Sequence, residues 1–303
     1  MTTADDPLPA LLDALRSSCA TERLRAAKDL GRLGWLAREA LPALVAVLND
    51  GDARVRESAA QAIGLMGPDA LPTLVAMLGH EDKYVRRHAV WALAKLGPLA
   101  RPALADLCQA LKDTDPRTAS GAAQALGSMG AEAADSVPAL AEAMRGTNIV
   151  LCRLASKALS QIGLPALPTL MAHLHHADPF VRAESALAIG WMGPAAAAAI
   201  ADLAQVVRGP QATVAPAADT ALPASLVLSA LPDSQAVTPP QVADEGTFSP
   251  EVNCRLYAAQ ALGRIGPAAA AVLVELRGSL ALAPEPVRQA VEQALRMVSG
   301  LAQ

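Results

Sequence analysis

A block of about thirty residues returns along nearly the whole chain, and it restricts the fold before composition is considered. Each block runs from an acidic residue through Val-Arg and an alanine-rich stretch to a closing glycine. It reads DARVRESAAQAIGLMG from Asp52 to Gly67, DKYVRRHAVWALAKLG from Asp82 to Gly97 and DPFVRAESALAIGWMG from Asp178 to Gly193; a weaker copy, EVNCRLYAAQALGRIG, runs from Glu251 to Gly266. The closing glycines Gly34, Gly67, Gly97, Gly130, Gly163 and Gly193 lie 33, 30, 33, 33 and 30 residues apart. A spacing of this size belongs to helical-repeat solenoids, in which each unit buries its apolar face only by stacking on its neighbours.

Each unit reads as two antiparallel helices. In the second unit the first helix spans Ala40 to Leu48, with Leu41, Leu44, Val45 and Leu48 on one face and Pro42 in the first turn, where its missing N–H costs little. A turn over Asn49 to Asp52 leads to a second helix from Ala53 to Met66, whose buried stripe is Val55, Ala59, Ala62, Ile63 and Met66. Gly67-Pro68 stops it. Asp52 stands where a carboxylate caps the second helix, a bond that contributes about 1 kcal/mol. An acid at the cap with an arginine four residues on, Asp52/Arg56, Asp82/Arg86, Asp178/Arg182 and Glu251/Arg255, is expected to form a ladder of charge-assisted bonds within and between neighbouring repeats. In the fourth and fifth units the arginine slot holds Ala119 and Cys152.

The pattern, with its preceding Pro-x-Leu-x-x-x-Leu helix, resembles HEAT repeats, and specifically the short bacterial HEAT-like type found in phycobilisome lyases. The resemblance covers about residues 5–207 and 250–299. It implies an all-α fold, an α-solenoid of about eight helix pairs with one long loop insertion, read as a single domain over residues 1–303. The insertion, 208–250, enters the seventh pair; it is rich in Pro, Ala, Thr, Ser and Gln with few charges, so a disordered or loosely packed loop is expected, with Ala221 to Leu231 a candidate docking helix.

Composition narrows function by exclusion. Aromatic residues are 2% and apolar residues 52% of the chain, which suits alanine-rich stacking without a large aromatic centre. The formal charge of −4 argues against non-specific nucleic-acid binding, though not against a local basic stripe. Asp202 and Glu275 interrupt the nearest candidates for a membrane span, and the first residues carry no secretory-signal pattern, so a cytoplasmic, monomeric protein is expected. Cys19, Cys108, Cys152 and Cys254 have no Cys-x-x-Cys spacing and read as small buried hydrophobes.

No catalytic constellation emerges. His173, His175, His176 and Asp178 span a helix end and a turn, which reads as a solvated turn rather than a metal site, so neither metal nor cofactor is expected. Deoxyhypusine hydroxylase, a HEAT-like enzyme, uses repeated His-Glu pairs; here only His80-Glu81 matches, in a turn. The HEAT-like alkylpurine DNA glycosylases use a basic concave face, at odds with the acidic balance. The resemblance therefore implies a non-enzymatic scaffold or adaptor that binds a protein or peptide along its concave face. The alternative is a bilin lyase-like or chaperone-like protein that holds a tetrapyrrole chromophore.

The candidate partner-binding residues lie on second-helix positions outside the buried stripe: Tyr84, Arg87, His88, Trp91, Lys95, Lys157, Phe180, Trp191, Tyr257 and Arg264. Their aromatic members either anchor a partner or cover gaps over alanine-rich packing.

Overall fold

The computed structural model describes residues 7–209, 248–281 and 283–300. Among these residues the chain is all helix, without strands, and forms eight helix pairs of an α-solenoid. The first pair is α1 (Leu8–Ala14) with α2 (Ala20–Leu33), followed by α3 (Leu41–Val47) with α4 (Ala53–Leu65) and α5 (Leu71–Met77) with α6 (Lys83–Leu96). Next come α7 (Leu104–Ala110) with α8 (Pro116–Ser128), and α9 (Val137–Met144) with α10 (Ile149–Ile162). The remaining pairs are α11 (Leu167–His173) with α12 (Pro179–Met192), α13 (Ile200–Arg208) with α14 (Pro250–Ile265), and α15 (Ala270–Ser279) with α16 (Glu285–Val298). The insertion expected between Arg208 and Pro250, with the Ala221–Leu231 segment, lies outside the described residues except at its edges.

Cα packing divides the chain into two compact units, Met1–Ile162 and Gly163–Gln303. In the first, the second helices stack in chain order, α2 on α4, α4 on α6, α6 on α8 and α8 on α10. The first helices each pack on the second helix of their own pair. In the second unit α12 packs on α14 and α14 on α16, while α13 contacts both α14 and α15.

The core follows from helix periodicity. Val55, Ala59, Ala62, Ile63 and Met66 are all buried on α4, as are Leu44 and Leu48 of the facing first helix. Val45 is a correction, since it is 38% exposed while Val47 is 8% exposed. The buried residues Ala40, Leu44, Val47 and Leu48 fall within about 60° either side of Leu44, whereas Val45 is rotated about 100° from it.

The alternation between 33-residue and 30-residue periods has a local cause. The longer connections contain a seven-residue 3-10 segment, as over Gly34–Ala40, Gly97–Ala103, Gly130–Ser136 and Gly193–Ala199. The shorter ones contain three residues, Pro68–Ala70 and Leu164–Ala166, as does Pro267–Ala269 in the last pair. The closing glycine registers the change: φ lies between 54° and 61° before the long segments and is 81° or 85° before the short ones. Both values lie in the left-handed region that residues with a Cβ avoid.

One run, Pro179–Arg208, is long and apolar enough by length and composition to cross a membrane, despite Asp202. It is two helices, α12 and α13, joined through a 3-10 segment at Gly193, and both pack on α14.

Candidate functional site

The turns before α4, α6, α8 and α12 are capped by carboxylates. Asp52 accepts from the Arg54 N–H at 2.8 Å, Asp82 from Tyr84 at 2.8 Å and Asp178 from Phe180 at 2.9 Å, each from an extended residue just ahead of the helix. Asp115 does the same for Thr118 at 2.9 Å. Glu251 departs from the expected cap. Pro250 opens α14, so Ser249 is the capping residue and its Oγ accepts from Val252 N–H at 3.4 Å, leaving Glu251 inside the first turn.

Arginines knit neighbouring pairs. Arg23, Arg56, Arg86 and Arg182 each donate through Nη1 to the two carbonyls five and six residues earlier, at 2.7 to 3.3 Å. The rest of each guanidinium reaches a carboxylate of the following pair: Arg23 to Asp50 at 2.6 Å, Arg56 to Asp82 at 2.5 Å, Arg86 to Asp113 at 2.7 Å, and Arg182 to Glu251. Arg255 instead donates Nε to the Val207 carbonyl at 2.9 Å. Where the slot holds Cys152, its sulfur lies 3.2 Å from the Gly146 carbonyl, six residues earlier. The Arg23 rung was hidden in the sequence because Cys19 occupies the position of the acid; the signal was Arg23 four residues after it.

Histidines substitute for aspartates in these turns. Two residues before the cap, Asp50 and Asp113 accept the N–H of Asp52 and Asp115, at 2.9 and 2.7 Å. His80 and His176 do so through Nδ1, at 3.0 and 3.1 Å. His80 has no carboxylate to offer Arg56, which therefore binds Asp82. His175 pairs with Asp202 at 3.1 Å and His173 is buried, so the four residues of the histidine cluster do not converge. Among the described residues no group of three or more His, Cys, Asp or Glu is arranged to hold a metal ion.

The outward face of α6 gathers five of the candidate residues. Arg87 is held by Asp115, with Nε 2.8 Å from Oδ2, and its guanidinium carbon lies 5.0 Å from the centre of the Tyr84 ring. The Arg87 guanidinium keeps the Asp115 carboxyl well below the usual carboxylate range. His88 is half-buried with Nε2 3.5 Å from Glu57, and burial pulls its pKa below the ordinary value. Trp91 is 37% exposed, with Lys95 Nζ 5.8 Å from its ring centre. Lys157 is exposed on α10. Arg87 and His88 are thus engaged with neighbouring helices, while Tyr84, Trp91, Lys95 and Lys157 face solvent.

In the second unit Trp191 is 42% exposed and Phe180 is half-buried. Tyr257 is a correction: it is 7% exposed, because α14 is enclosed by α12, α13 and α16. Arg264 is half-buried beside Gly190 of α12, and burial lowers its pKa. Sequence reasoning passed over Arg54 and Arg117, exposed residues in the register of Tyr84 on α4 and α8. That shared register was the signal.

No curated protein matches the chain. Among solved structures, an engineered protein from a structural genomics consortium is 20% identical, over 96% of this chain and 78% of that chain, with a TM-score of 0.50. The complex of CpcE and CpcF of phycocyanin lyase from Nostoc sp. PCC7120 is 25% identical over 71% of this chain and 92% of that chain, with a TM-score of 0.42. A designed armadillo repeat protein in complex with the peptide (KR)4 is 19% identical over 62% of this chain and 100% of that chain, with a TM-score of 0.45. Phycocyanin lyase is an enzyme, and on that finding the expectation of a protein without enzymatic activity is withdrawn. A family model described as HEAT repeats matches residues 8–94, 71–150 and 137–222, and the chain accordingly belongs to the HEAT-repeat family.

Proposed function

We propose that the chain binds an extended segment of a protein partner along the second-helix face of the unit Met1–Ile162. The observation that carries this reading is the set of large side chains left in solvent on that face: Leu65 at 44%, Tyr84 at 39% and Trp91 at 37% exposure, on helices held in register by half-buried arginine rungs. Exposed aromatic and apolar side chains on a rigid frame are the usual anchors of an interface, where one such residue contributes about 2 kcal/mol or more. The test is Trp91→Ala, assayed both by melting and by capture of the partner from native lysate. Binding reduced about thirtyfold with an unchanged melting temperature supports the reading. A variant that loses about 3 kcal/mol of stability and binds normally assigns Trp91 to packing.

A second reading is enzymatic in kind: the same face holds a tetrapyrrole during its attachment to a partner. It draws on the repeat type and on the pairing of the flat Trp91 ring with the Lys95 ammonium, which would suit a planar carboxylated ligand. A shifted bilin absorption band on mixing, lost in Trp91→Ala, would favour it over the peptide reading.

A further inference from the structure

Charge is divided between the two helix layers of the first unit. Its five second helices, α2, α4, α6, α8 and α10, carry thirteen Lys and Arg against three Asp and Glu, which are Glu22, Asp29 and Glu57. Its five first helices carry no Lys or Arg and three acids, Asp13, Asp106 and Glu142. A chain of net charge −4 therefore presents a basic face on the side where Tyr84 and Trp91 are exposed. Arg23, Arg56, Arg86 and Arg87 are consumed by carboxylates of the joints, while Arg25 and Arg32 pair with Asp29 and Arg54 with Asp52. Lys28, Lys95, Arg117 and Lys157 are exposed and form no ion pair among the described residues.

The free groups are ordered. Six residues before each closing glycine stand Lys28, Gln61, Trp91, Gln124 and Lys157, all exposed, one on each successive second helix. The row thus runs cation, amide, aromatic, amide, cation. Leu65 and Lys95 flank its centre one turn on, and Arg117, with Arg54 held by Asp52, lies two turns before. Packed helices lie about 8–10 Å apart and an extended chain advances about 3.3 Å per residue, so the row spans about ten to twelve residues of extended chain.

We infer that the partner segment is an extended acidic stretch with an apolar or aromatic residue at its middle, its carboxylates seated toward Lys28 and Lys157 and its centre on Trp91 and Leu65. This rests on the partner-binding reading and specifies its chemistry. Gln61 and Gln124 supply both donors and acceptors to the intervening peptide backbone. A polyphosphate fits less well. It lays down charge every few ångströms, whereas the cations of the row are separated by amides and an aromatic ring, and the carboxylates of Asp52, Glu57 and Asp82 belong to the same helices or their caps.

The test uses three fluorescent probes on the full chain: a twelve-residue peptide with Asp and Glu flanking a Leu-Phe centre, its Lys/Arg counterpart with the same centre, and a single-stranded DNA of the same length. The acidic peptide is expected to bind at least about tenfold tighter than the basic one and to weaken as salt is raised. Lys28→Glu and Lys157→Glu are each expected to weaken it about tenfold, and Trp91→Ala about thirtyfold. Tighter binding of the basic peptide, still dependent on Trp91, overturns the acidic assignment and leaves the partner-binding reading standing. Binding of the acidic peptide that ignores all three substitutions overturns the assignment, as does failure to bind it at all. Preferential DNA binding that requires Lys28 and Lys157 overturns both.

Discussion

Gly64→Ala probes the close stacking of second helices on which the face depends. A Cβ added at Gly64 on α4 would sit 2.8 Å from the Cβ of Ala92 on α6 and 3.6 Å from Cζ3 of Trp91. Carbon atoms pack at about 3.5–4.0 Å, so α4 and α6 would have to separate by close to 1 Å at that point. Overpacking of this kind costs about 1–3 kcal/mol. The helix returns up to about 1 kcal/mol because alanine replaces glycine, and less here because Gly64 lies in the last turn. The net expectation is a destabilisation of about 1–2 kcal/mol, or a fall in melting temperature of several degrees. Gly278→Ala is the control, because nothing lies within 4 Å of its added Cβ; it should melt at or slightly above the parent. Ala92→Gly removes the atom that the new methyl meets, so Gly64→Ala with Ala92→Gly should recover about 1 kcal/mol relative to the sum of the single changes. Thermal melts of the four variants and the parent close the cycle. A Gly64→Ala protein as stable as the parent, or a coupling near zero, refutes the close-packing account.

The Arg87–Asp115 pair, with side chains 21% and 7% exposed, joins α6 to the cap of α8, and Asp115→Asn is expected to cost about 2 kcal/mol in a urea melt. Because Asp115 has its pKa depressed in the folded chain, its contribution is complete above the ordinary value of 3.8 and is lost as pH falls below it; Asp115→Asn should flatten the acid limb of the stability profile. His88 acts at a higher pH. Its folded pKa is lowered from 6.5, so the unfolded chain binds the proton first and stability declines as pH falls through and below 6.5, a decline that His88→Gln should reduce. Thiol labelling should separate the cysteines: Cys19 is exposed and its pKa is lowered by the Thr21 hydroxyl, whereas burial pushes Cys254 up to about 11. Iodoacetamide at neutral pH is expected to modify Cys19 first and Cys254 only on unfolding.

Much of the fold was legible in the sequence because its signals are local. Closing glycines at Gly34, Gly67 and Gly97 mark helix ends that need positive φ, and Asp52, Asp82 and Asp178 cap N–H groups only two residues away. Even the three-residue difference in period is a local matter, one turn of 3-10 helix gained or lost. The tertiary structure decided what depends on groups about one repeat away. Arg23 and Arg56 each find their carboxylate 27 and 26 residues on, and whether Arg56 takes Asp82 or the turn residue before it is settled by His80 in that turn. Tyr257 sits at a position that periodicity assigns to the surface, but α12, α13 and α16 close around α14 and bury it. The basic row is of the same kind: Lys28, Trp91 and Lys157 are about two repeats apart in the chain and share a face only because stacking places equivalent helix positions side by side. A sequence states its local conformations directly; which long side chain meets which carboxylate, and which helix face is left in water, are properties of neighbours that the chain brings together only by folding.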